Sequence, residues 1–140
     1  MEPLYVMQGV IMAGKRIGRT LGVPTANLPR PEGPDVPQNG IYVAQVTFPE
    51  DKSRLEQAVL SQGVHPTVPG GPATVEIFLL NCQKDLYGRT IVVEYLEFMR
   101  PEIKFDTREE LRTQMQRDIA YARQWFAPRT AAGCPPINKS

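Results

Sequence analysis

The chain is cut into short pieces by fourteen prolines and eleven glycines, and before residue 100 they leave little room for helix. Between them lie apolar segments rich in β-branched and aromatic residues, at 5–12, 41–48, 57–61, 73–82 and 90–98. Five or six strands of this kind close into a small barrel, which predicts a mainly β fold. Asn39-Gly40, directly before Ile41, is a turn signal because both residues tolerate positive φ. Four prolines and a glycine between residues 28 and 37 exclude regular structure there, and residues 66–72 repeat the pattern. Both stretches are long enough to cover a site, although solvent-exposed connectors are the commoner outcome.

After Pro101 the period changes. Thr107 and Glu110 form a capping box, and Leu111, Met115, Ile119, Ala122 and Phe126 recur at helical spacing until Pro128. The expected element is one amphipathic helix whose apolar stripe closes a side of the barrel. One domain over residues 1–127 and a flexible tail over 128–140 complete the organisation.

Composition narrows the function classes. Hydrophobic residues at 41% and charged residues at 22% are ordinary for a globular chain, and no apolar run reaches the ~20 residues of a membrane helix. Sixteen basic against fifteen acidic side chains leave a net charge of +1, which disfavours a broad nucleic-acid surface and requires any phosphate to be gripped locally. Cys82 and Cys134 are the only cysteines and form no zinc spacing; two reduced thiols are expected. The expectation is a cytoplasmic monomer that binds neither nucleic acid nor membrane.

Candidate chemistry begins with Gly14, Gly18 and Gly22, spaced by four and interleaved with Lys15, Arg16 and Arg19. Glycines let backbone amides approach phosphate oxygens, and the cations offset their charge. The pattern is neither a Walker loop nor a dinucleotide fingerprint, so taken alone a plain basic turn explains it as well or better. In Pro24-Thr25-Ala26-Asn27 the hydroxyl and amide lie two apart, and in an extended segment they share a face. They are neutral oxygen donors of the type Mg²⁺ accepts when phosphates complete its shell, while on spacing alone an Asx or Thr turn is the simpler account. Glu76 sits in Val75-Glu76-Ile77-Phe78-Leu79-Leu80, where alternation places Phe78 and Leu80 on its own face. Partial burial raises a carboxyl pKa and suits it to accept a proton from an alcohol; an edge position beside a basic partner is the alternative, and Glu94 shows that carboxylates occur in these strands without evident purpose. His65, the single histidine, reads as a turn residue before Pro66, and Trp125 and Phe126 read chiefly as core.

The run Gly18-Arg19-Thr20-Leu21-Gly22-Val23-Pro24-Thr25-Ala26-Asn27-Leu28 resembles the signature of the riboflavin kinase family, found in stand-alone kinases and in the kinase half of bifunctional FAD synthetases. The likeness continues through Asn39-Gly40-Ile41-Tyr42, Gly63 to Thr67, Thr74-Val75-Glu76, Asp85-Leu86-Tyr87-Gly88, Arg100-Pro101-Glu102 and Lys104-Phe105-Asp106, spanning about residues 5–125. It implies a six-stranded Greek-key barrel with a C-terminal α-helix. It implies transfer of the ATP γ-phosphate to the riboflavin 5′-hydroxyl to give FMN and ADP, with Mg²⁺ or another divalent cation. The roles it implies are Thr25 and Asn27 on metal and phosphates, and Glu76 as base. Gly14, Gly18 and Arg19 form the ATP loop, Leu86, Tyr87 and Gly88 the hairpin near adenine, and Arg100, Pro101 and Glu102 a flap over the flavin ring. The chain departs from the family pattern at His65-Pro66-Thr67-Val68, where Asn-Pro-Thr-Phe is usual, and in the proline content of residues 30–38. A flavin- or nucleotide-binding sensor of the same fold, without turnover, is the rival expectation.

Overall fold

The structure is a computed structural model that describes residues 2–12, 25–64, 73–81 and 86–133, with side chains described as far as Ala127. Gly14, Gly18, Arg19, His65 and Cys82 therefore lie outside the described residues. Six strands precede one helix: β1 Tyr5–Val10, β2 Ala26–Pro29, β3 Gly40–Phe48, β4 Asp51–Gly63, β5 Thr74–Leu79, β6 Thr90–Arg100 and α1 Arg108–Gly133.

Every strand pair is antiparallel, in the order β1-β6-β3-β4-β5-β2. Strands β3, β4 and β5 form a meander and β2 lies beside β5, which is a Greek-key arrangement. The sheet curls until its two edges meet at a Met12–Asn27 bridge, where the Met12 N–H donates to the Asn27 carbonyl at 2.8 Å.

Alternation divides the apolar residues between two cores. The barrel interior holds Leu28, Tyr42, Leu60, Ile77 and Tyr95, all essentially without solvent contact. Its rings pack edge-on, Tyr95 meeting Tyr42 at 5.1 Å and Tyr5 at 5.4 Å, and such pairs add about 1 kcal/mol each beyond their buried area. The second core lies outside the barrel, where Val43, Val59, Phe78 and Leu80 meet Ala122, Trp125 and Phe126 of α1. Trp125 satisfies its indole N–H on Glu97 Oε1 at 2.9 Å, so Trp125 and Phe126 both serve packing, while the third aromatic residue of the helix, Tyr121, is exposed.

The start of α1 follows the capping box. Thr107 Oγ1 accepts from the Glu110 N–H, and Glu110 Oε1 accepts from the Asp106 N–H, both at 3.1 Å. The helix runs through Pro128 to Gly133 instead of ending at the proline. A proline interrupts one intrahelical hydrogen bond and does not by itself prevent continuation. Two further boundaries differ from expectation. Residues 26–29 form β2, since pairing with β5 outweighs Pro29 at the strand's end. Strand β4 begins at Asp51, not at residue 57, because its polar first half pairs with β3 across a bulge at Thr47/Phe48.

The connector at 30–39 is fastened to one end of the barrel. Arg30 Nε donates to Asn39 Oδ1 at 2.7 Å, and the buried Gln62 donates through Nε2 to the Pro37 carbonyl at 2.8 Å. Tyr95 Oη in turn donates to Gln62 Oε1 at 2.6 Å, which leaves both ends of that interior amide satisfied.

Candidate active site

Register across the sheet assembles the site from residues far apart in sequence. Asn27 of β2 is opposite Glu76 of β5, Glu76 is opposite Ser61 of β4, Ser61 is opposite Ile41 of β3, and Ile41 is opposite Arg100 of β6. Directly opposed residues share a face, with Cβ atoms about 5 Å apart. The row thus passes from a neutral amide through a carboxylate and a hydroxyl to an apolar side chain and a guanidinium.

This row borders a pocket between the sheet and the first half of α1, with room for about 100 Å³ of solvent. Ile41, Val59 and Phe78 form its sheet wall; Leu111, Met115 and Ile119 form its helix wall. Thr25, Ser61, Glu76, Arg100 and Glu102 supply polar groups at its margin. The upper part of the helical stripe therefore lines a cavity, and only its lower part, Ala122 and Phe126, completes the core as the spacing predicts for the whole.

Glu76 lies on the face of Phe78 and Leu80, as alternation requires, and is mostly removed from water. Burial pushes its carboxyl up to about 7, and the Thr25 hydroxyl beside it offsets part of that rise. Thr25 Oγ1 is itself buried and has no hydrogen bond of good geometry among the described residues. Its proximity to the carboxylate is therefore a short-range electrostatic contact, and its lone pairs are uncommitted. Asn27 is 4% exposed and sits where the two sheet edges join.

Arg100 and Glu102 line the pocket, whereas the exposed Pro101 between them does not. The Arg100 guanidinium is held by Asp118 of α1, Nε to Oδ1 at 3.1 Å and Nη2 to Oδ2 at 2.7 Å, while Gln114 Nε2 adds 3.1 Å to Oδ1. Glu102 Oε1 accepts from the Val64 N–H at 3.3 Å. The Arg100–Asp118 pair is bidentate and little exposed, with 17% and 7% of the two side chains reaching solvent. Replacing Asp118 with alanine strands a mostly buried cation, and the expected cost is about 3 kcal/mol, read as a lower midpoint in urea. The more open Arg89–Glu50 pair, at 35% and 67%, should cost less than about 1 kcal/mol when broken in the same assay.

Leu86, Tyr87 and Gly88 stand apart from the pocket. They form a turn with Gly88 at φ +86°, tied to the end of β1 by the Gly88 N–H on the Ile11 carbonyl at 2.9 Å. Since the next residue, Met12, bridges Asn27, this turn adjoins the Asn27 end of the row. Tyr87 is 66% exposed there. Glu94 is far along the outer face, where Gln45 Nε2 donates to it. No residue of 30–39 lines the pocket.

Four of the expected residues, Thr25, Glu76, Arg100 and Glu102, thus share one cavity, and Asn27 adjoins it. Sequence reasoning missed Ser61 and Asp118. Ser61 depends on strand register, whereas Asp118 carries a local signal, a carboxylate at helical spacing with Leu111, Met115 and Ala122 on the face turned to the barrel.

A family model described as riboflavin kinase, or flavokinase, matches residues 1–126. The chain belongs to the riboflavin kinase family. Among its relatives, the bifunctional riboflavin kinase/FMN adenylyltransferase of Escherichia coli K12 is 35% identical over 87% of this chain and 38% of that enzyme. The RNA-binding riboflavin kinase RibR of Bacillus subtilis is 34% identical over 88% of this chain and 52% of its own length. The chain spans only about two-fifths of bifunctional relatives such as the Escherichia coli enzyme. The crystal structure of riboflavin kinase from Trypanosoma brucei shares the fold, with a TM-score of 0.55 at 19% identity, over 99% of this chain and 94% of that one. The riboflavin kinase fold is therefore a six-stranded Greek-key barrel with a C-terminal helix here too. Among the described residues no helix is long and apolar enough to cross a membrane.

Proposed function

We propose that this chain transfers the γ-phosphate of ATP to the 5′-hydroxyl of riboflavin, producing FMN and ADP. The observation that carries the reading is the position of Glu76: a carboxylate raised to about 7, beside Thr25 and opposite Asn27, at the margin of a mainly apolar pocket. Apolar walls on sheet and helix suit a planar aromatic ring system, and they leave the polar margin for a hydroxylated tail. Glu76 takes the proton of the 5′-hydroxyl as its oxygen bonds to phosphorus and the bond to the ADP oxygen breaks.

The residues present fit a divalent cation that also takes phosphate oxygens. Thr25 Oγ1 is a buried oxygen without a hydrogen-bond partner among the described residues, and Asn27 contributes an amide oxygen of the same hard, neutral type. No cluster of three or more His, Cys, Asp or Glu that could hold a metal unaided occurs among the described residues. When bound there, the cation supplies neutralisation of phosphate charge. In this reading Gly14, Gly18 and Arg19 bind the ATP phosphates, Leu86, Tyr87 and Gly88 adjoin the adenine, and Arg100, Pro101 and Glu102 border the flavin ring. A monomeric state and a cytoplasmic location belong to the same reading, and the domain expected to end at residue 127 extends with α1 to Gly133. The net charge of +1 supports small-molecule substrates in preference to nucleic acid, unlike the relative named as RNA-binding.

The test is incubation with riboflavin and ATP, with and without Mg²⁺, followed by separation of flavins. FMN formed only with the metal is the expected result. Flavin binding without FMN under every metal tested indicates a binding module and overturns the proposal.

A further inference from the structure

We infer that Ser61 binds the penultimate hydroxyl of the flavin's polyol tail and so fixes the terminal hydroxyl against Glu76. The inference rests on the riboflavin kinase reading above and adds a substrate contact to it.

The argument starts from register. Glu76 has two cross-strand neighbours on its face, Asn27 on β2 and Ser61 on β4. Adjacent strands lie about 4.8 Å apart, so each neighbour's side chain starts within about 5 Å of the carboxylate's Cβ. The β2 side carries Thr25 and Asn27, the two neutral oxygen donors suited to the phosphate end. The β4 side continues into the apolar wall, because Ile41 is the next residue of the row and Val59 lies two positions before Ser61 on the same face. A substrate whose ring rests on that wall and whose terminal hydroxyl reaches Glu76 must pass over Ser61.

Composition of the cavity sharpens the point. Among the described residues that line it, only Thr25 and Ser61 carry a hydroxyl, and Thr25 is on the opposite side of Glu76. Ser61 is partly exposed to the cavity, not sealed in the core as its neighbours Leu60 and Gln62 are. A serine hydroxyl donates one hydrogen bond and accepts others, as does each hydroxyl of a polyol, so the two match without charge.

A substrate-and-variant cycle tests this, comparing riboflavin with 4′-deoxyriboflavin in the wild-type protein and in Ser61→Ala. For the wild type, loss of the 4′-hydroxyl is expected to lower kcat/KM about 10-fold. Ser61→Ala is expected to lose about the same on riboflavin, to lose little more on the deoxy analogue, and to keep the KM for ATP. Ser61→Thr, which keeps the hydroxyl on a residue suited to a strand, restores the discrimination between the two flavins. If Ser61→Ala distinguishes the flavins as strongly as the wild type does, Ser61 does not touch the tail and the inference is wrong. The same holds if both flavins slow equally, which assigns the serine to Glu76 instead. Failure of the wild type to make any FMN sinks the function reading itself, and is thereby distinct from failure of the Ser61 contact.

Discussion

Glu76→Gln is expected to slow FMN formation by about 100-fold or more while ATP continues to bind, because the amide keeps the shape of the carboxyl but cannot accept the proton. Single-turnover measurement of phosphoryl transfer, paired with an ATP-binding titration, reads both halves of that outcome. Turnover within about threefold of wild type removes Glu76 from the role of base. The same substitution is expected to stabilise the protein free of nucleotide and metal. The folded carboxyl keeps its proton to about pH 7, whereas the unfolded one releases it near its ordinary value of 4.5. Between those values the folded state binds more protons, so wild-type stability falls as pH rises through that window and then levels off. Glu76→Gln lacks this dependence and should be more stable at pH 8 by on the order of 3 kcal/mol, with little advantage at pH 4. Urea denaturation of both proteins at the two pH values checks the sign. A less stable variant at pH 8 means that the wild-type carboxylate is compensated in a way burial alone does not describe.

Gly40→Ala is expected to be the most damaging small substitution in the barrel. Gly40 has φ +155°, and an added Cβ falls 2.5 Å from Phe98 Cε1 and 2.7 Å from the Arg100 carbonyl oxygen. The ring could turn, but the carbonyl belongs to the backbone of β6 at the point where its pairing with β3 already shifts register. Strained φ and overpacking together should cost about 3 kcal/mol or more, which lowers Tm by roughly 10 °C in a chain of this size. A change smaller than about 2 °C in a thermal melt contradicts this. Gly63 makes a useful contrast. Its φ of +151° strains alanine as at Gly40, but its added Cβ meets the far end of a side chain, Glu102 Oε1 at 2.1 Å, which can move at the cost of its hydrogen bond from the Val64 N–H.

The parts of the fold readable in the sequence are those written in local pattern. Alternation placed Glu76 on the face of Phe78 and Leu80, and the Thr107/Glu110 pair marked the start of α1. Strand β2 and the first half of β4 were not legible in the same way. A four-residue strand ending in Pro29, and the polar stretch Asp51-Lys52-Ser53-Arg54, have no apolar periodicity of their own; the first is a strand because it pairs with β5, and the second because it continues a strand paired with β3 at Asp51 and from Leu55 onward. Phe48 adds a tertiary reason, since the guanidinium of Arg54 stacks over its ring at 4.4 Å and that of Arg89 at 4.9 Å. The same limit applies to the site. Resemblance to a family pointed to Thr25, Asn27 and Glu76, but their common face, the helix wall of Leu111 and Met115, and the Asp118 clasp on Arg100 exist only once register and packing are set.

The seam between β1 and β2 has a bearing on how ligands act on the whole barrel. Among the described residues, strand β2 pairs along its length with β5 and meets the chain just after β1 at the Met12–Asn27 bridge. The segment that presents Thr25 and Asn27 thus lies at the seam where the sheet closes on itself. Anything that engages both residues at once closes that seam, so occupancy of the nucleotide end and cohesion of the barrel rise together.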